Sequence, residues 1–425
     1  MWRVVMCLAS AVLVRSGWAG VEGEIFGPGS ARFPIAVSPL KGSGADGGRF
    51  AKVLSRDLDL SGYFRLVDPA QFPEDPQSSG TTADTIDFAA WSSVGAQALV
   101  KGTVVPSGNG VAVEIRLFDI ATKQEVTQVG RRFAGGRSEV GRMANRTADA
   151  ILEFLTGERG PFDSKIALVS NRAGRLKDVY VFGFDRDEPE RLTTDQSIVM
   201  APRWRSDLTG LVYTSYREHI PRLFTVDLAT RQSVRLTAGG PFLSGAWSPD
   251  GTRLLAVRET DGNAEIVLLD RNGTVIRQLT DHWAIDVSPA WAPDGRRFAF
   301  CSSRGGGPQI YVMDVDGSAP RRVSFRGNYN TSPAWSPKDD GIAYASRGGG
   351  GFQIVVTDPD GRDAVTLPGT GEDPTWSPDG RYLAYVGRHR LMMADRGGKL
   401  AKELTRGTAN DTAPAWSPRL EQGAR

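Results

Sequence analysis

The chain is predicted to fold as a smaller N-terminal α/β domain followed by a six-bladed β-propeller closed by its C-terminal strand. Three observations predict this. A Trp-centred motif recurs six times, at Trp204, Trp247, Trp291, Trp335, Trp376 and Trp416, with steps of 40 to 44 residues. The residues between motifs read as short alternating strands separated by Gly-rich turns. The array is incomplete at both ends, and the two incomplete pieces are complementary.

From the beginning of the chain, residues 1–19 have the order of a secretory signal peptide. Arg3 supplies the positive end, residues 4–14 are mostly apolar, and Gly17-Trp18-Ala19 offers small residues at a cleavage site. Arg15 departs from the pattern. The apolar run is too short to cross a bilayer as a helix, so an exported protein with no direct membrane insertion is expected. Loss of this segment removes Cys7 and leaves Cys301, so no intramolecular disulfide is expected. Cys301 lies in an apolar strand-like run, where a small buried side chain is its ordinary role. Residues 20–33 are Gly-rich, without periodicity, and read as an extended segment.

Residues 34–159 lack the repeat and are predicted to be α/β. A strand is expected at 34–37. Phe50, Val53, Leu54, Asp57 and Leu58 have helical spacing, and Ser61-Gly62 stops that helix. Residues 63–67 read as a strand, 69–82 as a polar Pro-rich loop, and 87–94 as a short helix. A strand at 97–105 follows, and segments 111–120 and 125–133 are expected to pair. Between Ser138 and Leu155, Val140, Met143, Ala144, Ala148, Ile151 and Leu152 share one face of a long helix, which Gly157 ends. Gly160-Pro161 is the expected linker.

The propeller is assigned to residues 163–425. In Ser248-Pro-Asp-Gly251 and its copies, Pro suits the second position of a type I turn and Gly the fourth. The preceding Trp suits the seam between blades. Strands are predicted to begin seven residues after each of the first five Trp, with two further strands before the next motif. Strands at 166–171, 178–182 and 191–193 have no motif before them, and Trp416 has no strands after it. Together they make one blade, and the total is six.

The formal net charge is only +2 with Lys and Arg dispersed, which argues against nucleic acid. There is no nucleophile elbow, His-Glu-x-x-His, phosphate loop or paired Cys motif. The three His, at 219, 282 and 389, fall in different blades. No catalytic residue, metal or cofactor is therefore assigned. The competing class is a propeller hydrolase or polysaccharide lyase with a channel-bound metal. It would need several His or acidic residues in the inner strands, where the sequence offers mainly Ala, Thr, Ser and Trp. Asp286, Asp373 and Asp411 are the carboxylates that a cation in the channel would use.

The loops leading into the Pro-x-Trp strands are expected on one propeller face, around the channel. Loops on a rigid scaffold are where recognition concentrates. The candidate binding residues there are Met200, Phe242, His282, Trp283 and Tyr329, with an inner rim of Ser244, Asp286, Ser288, Asn330, Thr331, Glu372, Asp373, Asn410 and Asp411.

The join between the two domains carries a more specific likeness. Leu155-Thr-Gly-Glu-Arg-Gly-Pro-Phe162, running into Lys165-Ile-Ala-Leu-Val-Ser170, resembles the interdomain signature of the TolB family of the Tol–Pal cell-envelope system. Ser61-Gly-Tyr-Phe64, Trp91 with Gly95, and Pro414-Ala-Trp-Ser-Pro418 are similar too. Asn145 departs from the family, which usually has His there. The Pro-Asp-Gly turn is lost after Trp204. The resemblance implies a monomeric periplasmic protein that binds the peptidoglycan-associated lipoprotein Pal through the propeller face. It also implies contact with the inner-membrane protein TolA through the N-terminal region, with Val21, Glu22, Ile25, Phe26 and Phe33 as contacts. Support of outer-membrane integrity and of constriction at division follows from that membership.

Overall fold

The computed structural model describes residues 32–42 and 44–420. The expected signal peptide lies outside the described residues, as do Val21, Glu22, Ile25 and Phe26. The chain divides into two compact units between Phe162 and Asp163. Among the described residues no helix is long and apolar enough to cross a membrane.

The first unit is built on a seven-stranded mixed sheet. Phe33–Val37 lies between Phe64–Leu66 and Ala98–Ser107, parallel to both. Phe33 begins this strand. It donates its N–H to the Tyr63 carbonyl at 2.8 Å and packs edge-on against Phe64. This corrects its assignment to the extended segment and to a TolA contact, because its ring is buried in the sheet. Helix α1, Gly44–Ser61, starts six residues before the predicted Phe50. Its first turn is Gly-rich and so invisible to propensity. Gly47 is required there, since an added Cβ would sit 2.3 Å from the Leu40 carbonyl oxygen.

Segments 111–120 and 125–133 pair as expected, through Gln124–Glu125 and Arg131–Gly135, and Gly110–Asp119 also forms a long hairpin with Ala98–Ser107 on its other edge. Helix α2, Phe88–Ser93, is capped by Asp87, whose carboxylate accepts from the Ala90 N–H. Phe88 and Trp91 bury against Ala36, Leu99 and Phe118. Helix α3, Val140–Thr156, ends at Gly157 with φ +74°. Beyond it, the Phe162 N–H donates to the buried Asp149 carboxylate at 2.8 Å.

One charged pair holds the polar loop between residues 69 and 87. Lys101 is buried, bonded to Glu74 and to Ser79 Oγ, and lies over the Trp91 ring. Burial raises the Glu74 pKa, but Lys101 and the Asp87 N–H outweigh it and hold the carboxyl below its ordinary value of 4.5. A depressed folded pKa stabilises above the ordinary value and is lost as pH falls through the depressed one. Glu74→Ala leaves a buried ammonium unpaired and is expected to cost about 3 kcal/mol. Urea denaturation checks this, and an unchanged midpoint would make the pair incidental.

The second unit consists of six four-stranded antiparallel sheets. Blade 1 is composite: Lys165–Ser170, Asp178–Gly183 and Glu190–Arg191 are joined by Thr412–Trp416, with Trp416 opposite Ile166. Blades 2 to 6 begin with the inner strands Val199–Trp204, Phe242–Trp247, Asp286–Trp291, Asn330–Trp335 and Glu372–Trp376. Apolar clusters fill the seams; one joins Leu255, Ile266 and Leu268 of blade 3 to Trp291, Phe298 and Phe300 of blade 4.

The turn after each Trp follows its chemistry. Gly251, Gly295 and Gly380 donate to the residue three before them and have φ between +64° and +70°. Where Gly is lost, Leu208 and Asp339 take the same left-handed conformation. Three of the Trp indoles reach back across the seam. Trp204, Trp291 and Trp376 donate Nε1–H to the carbonyls of Ala415, Ala246 and Ala334 in the preceding blade.

The predicted fourth strands ending in Leu-Thr are shorter than expected. They stop at Arg235, Gln278, Arg322 and Glu403, and the hydroxyl beyond takes over. Thr237, Thr280, Ser324 and Thr405 each accept the N–H of Leu223, Ile266, Ile310 or Leu391 on the third strand.

Candidate functional site

Every inner strand carries a bulge three residues before its Trp. Ala201, Ser244, Ser288, Ser332, Asp373 and Ala413 have φ between +32° and +55°. Pairing with the second strand shifts register at that point in all six blades. A left-handed non-Gly residue costs roughly 1–2 kcal/mol, and a bulge bends its strand. Six of them curve the inner strands around a central tunnel. Ser244, Ser288 and Asp373, expected on the rim, therefore sit half-buried in the strands. Asp373 bridges two seams there: it accepts from Ser332 Oγ at 2.8 Å and from the Ala413 N–H at 3.3 Å.

The residue five before Trp is Val199, Phe242, Asp286, Asn330, Gly371 and Asp411 in turn around the ring, and it is buried at every blade. Phe242 is core, at 2% exposure. Asp286 is fully buried and bonded to Arg304 at 2.6 Å. Asp411 is bonded to Arg172 at 2.7 Å and accepts from Thr405 Oγ1. Asn330 donates to Gln309 and to the Arg326 carbonyl. These four were expected on the binding face. They are corrected to internal residues: Phe242 packs in the seam between blades 2 and 3, Asp286 and Asp411 pair with arginines of their own blades, and Asn330 bonds Gln309 of the preceding blade. The carboxylates of Asp286, Asp373 and Asp411 do not converge. Among the described residues no cluster of three or more His, Cys, Asp or Glu could hold a metal ion. Cys301 is buried, and burial pushes its thiol up to about 11.

The remaining candidates lie on or near the surface. Met200, Trp283, Tyr329 and Glu372 are exposed, while His282, Thr331 and Asn410 are half-buried. Trp283 is the most exposed large apolar residue of the described chain, at 78%. Its loop is pinned. Glu265 accepts from the His282 N–H and Thr280 Oγ1, and Asn263 donates to the His282 carbonyl. The His282 ring stacks beside the indole at 5.2 Å. Tyr329 packs edge-on against Phe352.

Five exposed apolar residues escaped the sequence reading: Leu176, Ile198, Ile220, Ile285 and Phe325. All lie in loops at the same end of the blades as Trp283. Leu176 and Ile220 occupy turns between second and third strands, where a large apolar side chain amid Gly, Arg and His was the available signal. The other exposed large apolar residues of this unit, Val234, Val275, Ile276 and Val365, lie on outermost strands. Among the described residues the opposite end, with the Trp-Ser-Pro turns, has none. One end of the propeller is thus selectively apolar. A rigid loop face with a prominent Trp suits recognition of another protein.

Comparison with known proteins agrees with this architecture. Residues 22–126 match the family model of the TolB amino-terminal domain, and residues 152–420 match that of the TolB beta propeller domain. The Tol-Pal system protein TolB of Desulfosudis oleivorans is 34% identical over 233 residues, covering 55% of this chain and 52% of that protein. Its counterpart from Anaeromyxobacter dehalogenans is 36% identical over 294 residues, covering 68% and 67%. The aligned stretches thus span from about half to two thirds of these relatives. The crystal structure of TolB from Acinetobacter baumannii superposes with a TM-score of 0.79 at 25% identity, over 93% of this chain and 99% of that one. With a TolB amino-terminal domain followed by a TolB propeller, the chain belongs to the TolB family.

Proposed function

We propose that the protein is a non-catalytic, periplasmic component of the Tol–Pal system that binds Pal on the loop face of its propeller. The observation that carries this reading is the gathering of exposed apolar side chains at one end of the ring, around a Trp283 held in place before any partner arrives. A preordered aromatic anchor loses little freedom on binding. The names of the relatives support the system, and the order of residues 1–19 supports export. TolA is the proposed partner of the N-terminal region, through Val21, Glu22, Ile25 and Phe26. The protein acts as a monomeric scaffold linking these partners, in support of outer-membrane integrity and constriction.

Titration against purified Pal tests the reading. Trp283→Ala is expected to weaken binding about thirtyfold, the loss of a hot-spot side chain. Tyr329→Ala is expected to weaken it less, and neither should lower the melting temperature by more than about 2 °C. Unchanged affinity in both variants would remove the loop face from the interaction. Deleting residues 20–32 should abolish capture of TolA and leave Pal binding intact.

A further inference from the structure

The residue between Pro and Trp in the inner strands is small in five blades: Ala290, Ala334, Ala415, Thr375 and, after Gly245, Ala246. In blade 2 it is Arg203. These positions meet at the Trp end of the tunnel, in a cavity of about 380 Å³ to which all six blades contribute. The five small side chains leave room for both the guanidinium and the open space beside it. Trp and Pro form the walls, and no Asp or Glu lines the cavity.

Arg203 is enclosed by protein but keeps partial exposure through the cavity. One nitrogen donates to its neighbouring Pro202 carbonyl at 2.8 Å. No described carboxylate lies within ion-pairing distance of it. The field of Asp373 reaches it, but both Asp373 oxygens already accept from Ser332 and Ala413. Lys177 adds further positive charge and feels Asp373 and Asp411, of which Asp411 is already paired with Arg172. Among the described residues Arg203 therefore has no carboxylate dedicated to it. An enclosed guanidinium without an anion is destabilising. Its planar fork of donors matches two oxygens of a carboxylate or phosphate.

We propose that this cavity is an oxyanion-binding site, in which a small carboxylate or phosphate group seats against the guanidinium of Arg203. The site lies at the opposite end of the tunnel from the loop face and does not depend on what that face binds. The anion enters through the Trp-lined mouth, and the indole rims exclude water from the charge pair.

The full chain, titrated by calorimetry at constant ionic strength, tests this with two probes, succinate and inorganic phosphate. Saturable binding of at least one is expected, with a matching rise in melting temperature. The stronger probe tells whether a carboxylate or a phosphate is preferred. Arg203→Gln is expected to weaken binding about tenfold or more, the loss of a charge-assisted hydrogen-bond pair. Arg203→Lys keeps the charge without the fork and should fall between. If Arg203→Gln does not fold, the Lys variant carries the comparison. No saturable binding of either probe to the unaltered protein would overturn the proposal, as would equal affinity in every variant that folds.

Discussion

Removal of residues 412–425 is expected to abolish the cooperative unfolding transition of the propeller. The strand Thr412–Trp416 is the innermost strand of blade 1, and among the described residues no other strand pairs with that edge of Lys165–Ser170. Its loss takes the Ser417 N–H bond to the Lys165 carbonyl and the Lys165 N–H bond to Ser417 Oγ. It takes the Ala415 carbonyl that Trp204 uses, and the Trp416 indole that donates to Ser164 and stacks on Phe184 at 5.7 Å. Each hydrogen bond contributes about 1 kcal/mol net, and a buried Trp about 3–5 kcal/mol. The sum is comparable to the whole stability of a domain, about 5–15 kcal/mol. Near-UV circular dichroism during heating checks this. A truncated chain that melts with the same sharpness and midpoint would show that the ring holds without its closure. Trp416→Ala is the milder form, expected to lose about 3–5 kcal/mol.

Asp286→Ala is expected to destabilise the propeller by about 3–5 kcal/mol, because it strands a buried guanidinium. Arg304 approaches from the end of the second strand, and Asp286 begins the first; their side chains are 16% and 0% exposed. Blade 1 repeats the arrangement with Arg172 and Asp411. In blade 2 Arg217 reaches Asp195 in the loop before the inner strand. The pair costs desolvation as well as giving attraction. Replacing both members, Asp286→Leu with Arg304→Met, is therefore expected to cost far less than the single change. Urea denaturation of the three proteins separates these outcomes. Equal stability of Asp286→Ala and the unaltered protein would mean that water already screens Arg304.

The blades were legible because the same packing problem recurs at every seam and is solved with the same residues. Trp marks the end of each inner strand, followed in blades 3, 4 and 6 by a turn of Pro, Asp and Gly and in blades 2 and 5 by a turn in which Leu208 or Asp339 takes the place of Gly. The composite blade could be read because neither orphan piece could bury its edges alone. The details of the binding face were less legible. Asp286, Asn330 and Asp411 are polar residues beside a loop, and from spacing alone they resemble a rim. Of their partners, Gln309 lies on another strand, and Arg304 and Arg172 lie in turns after second strands, far enough along the chain that spacing gives no sign of the pairing. Ser244 and Ser288 carry no mark of their left-handed backbone. Arg203 was in plain view as the one large residue among small ones, but its meaning depends on five other blades converging on it.

Joining the two ends of the propeller within one sheet also orders events in time. Ile166 and Trp416 are neighbours in space but are separated by almost the entire domain in sequence. Contacts of such long separation form late and slowly. While the chain is being made, the Lys165–Ser170 strand therefore carries an open hydrogen-bonding edge until residues 412–416 emerge. An open edge is a template for pairing with another chain. The hazard falls on the nascent molecule, and it ends only when the last blade segment arrives to occupy the first.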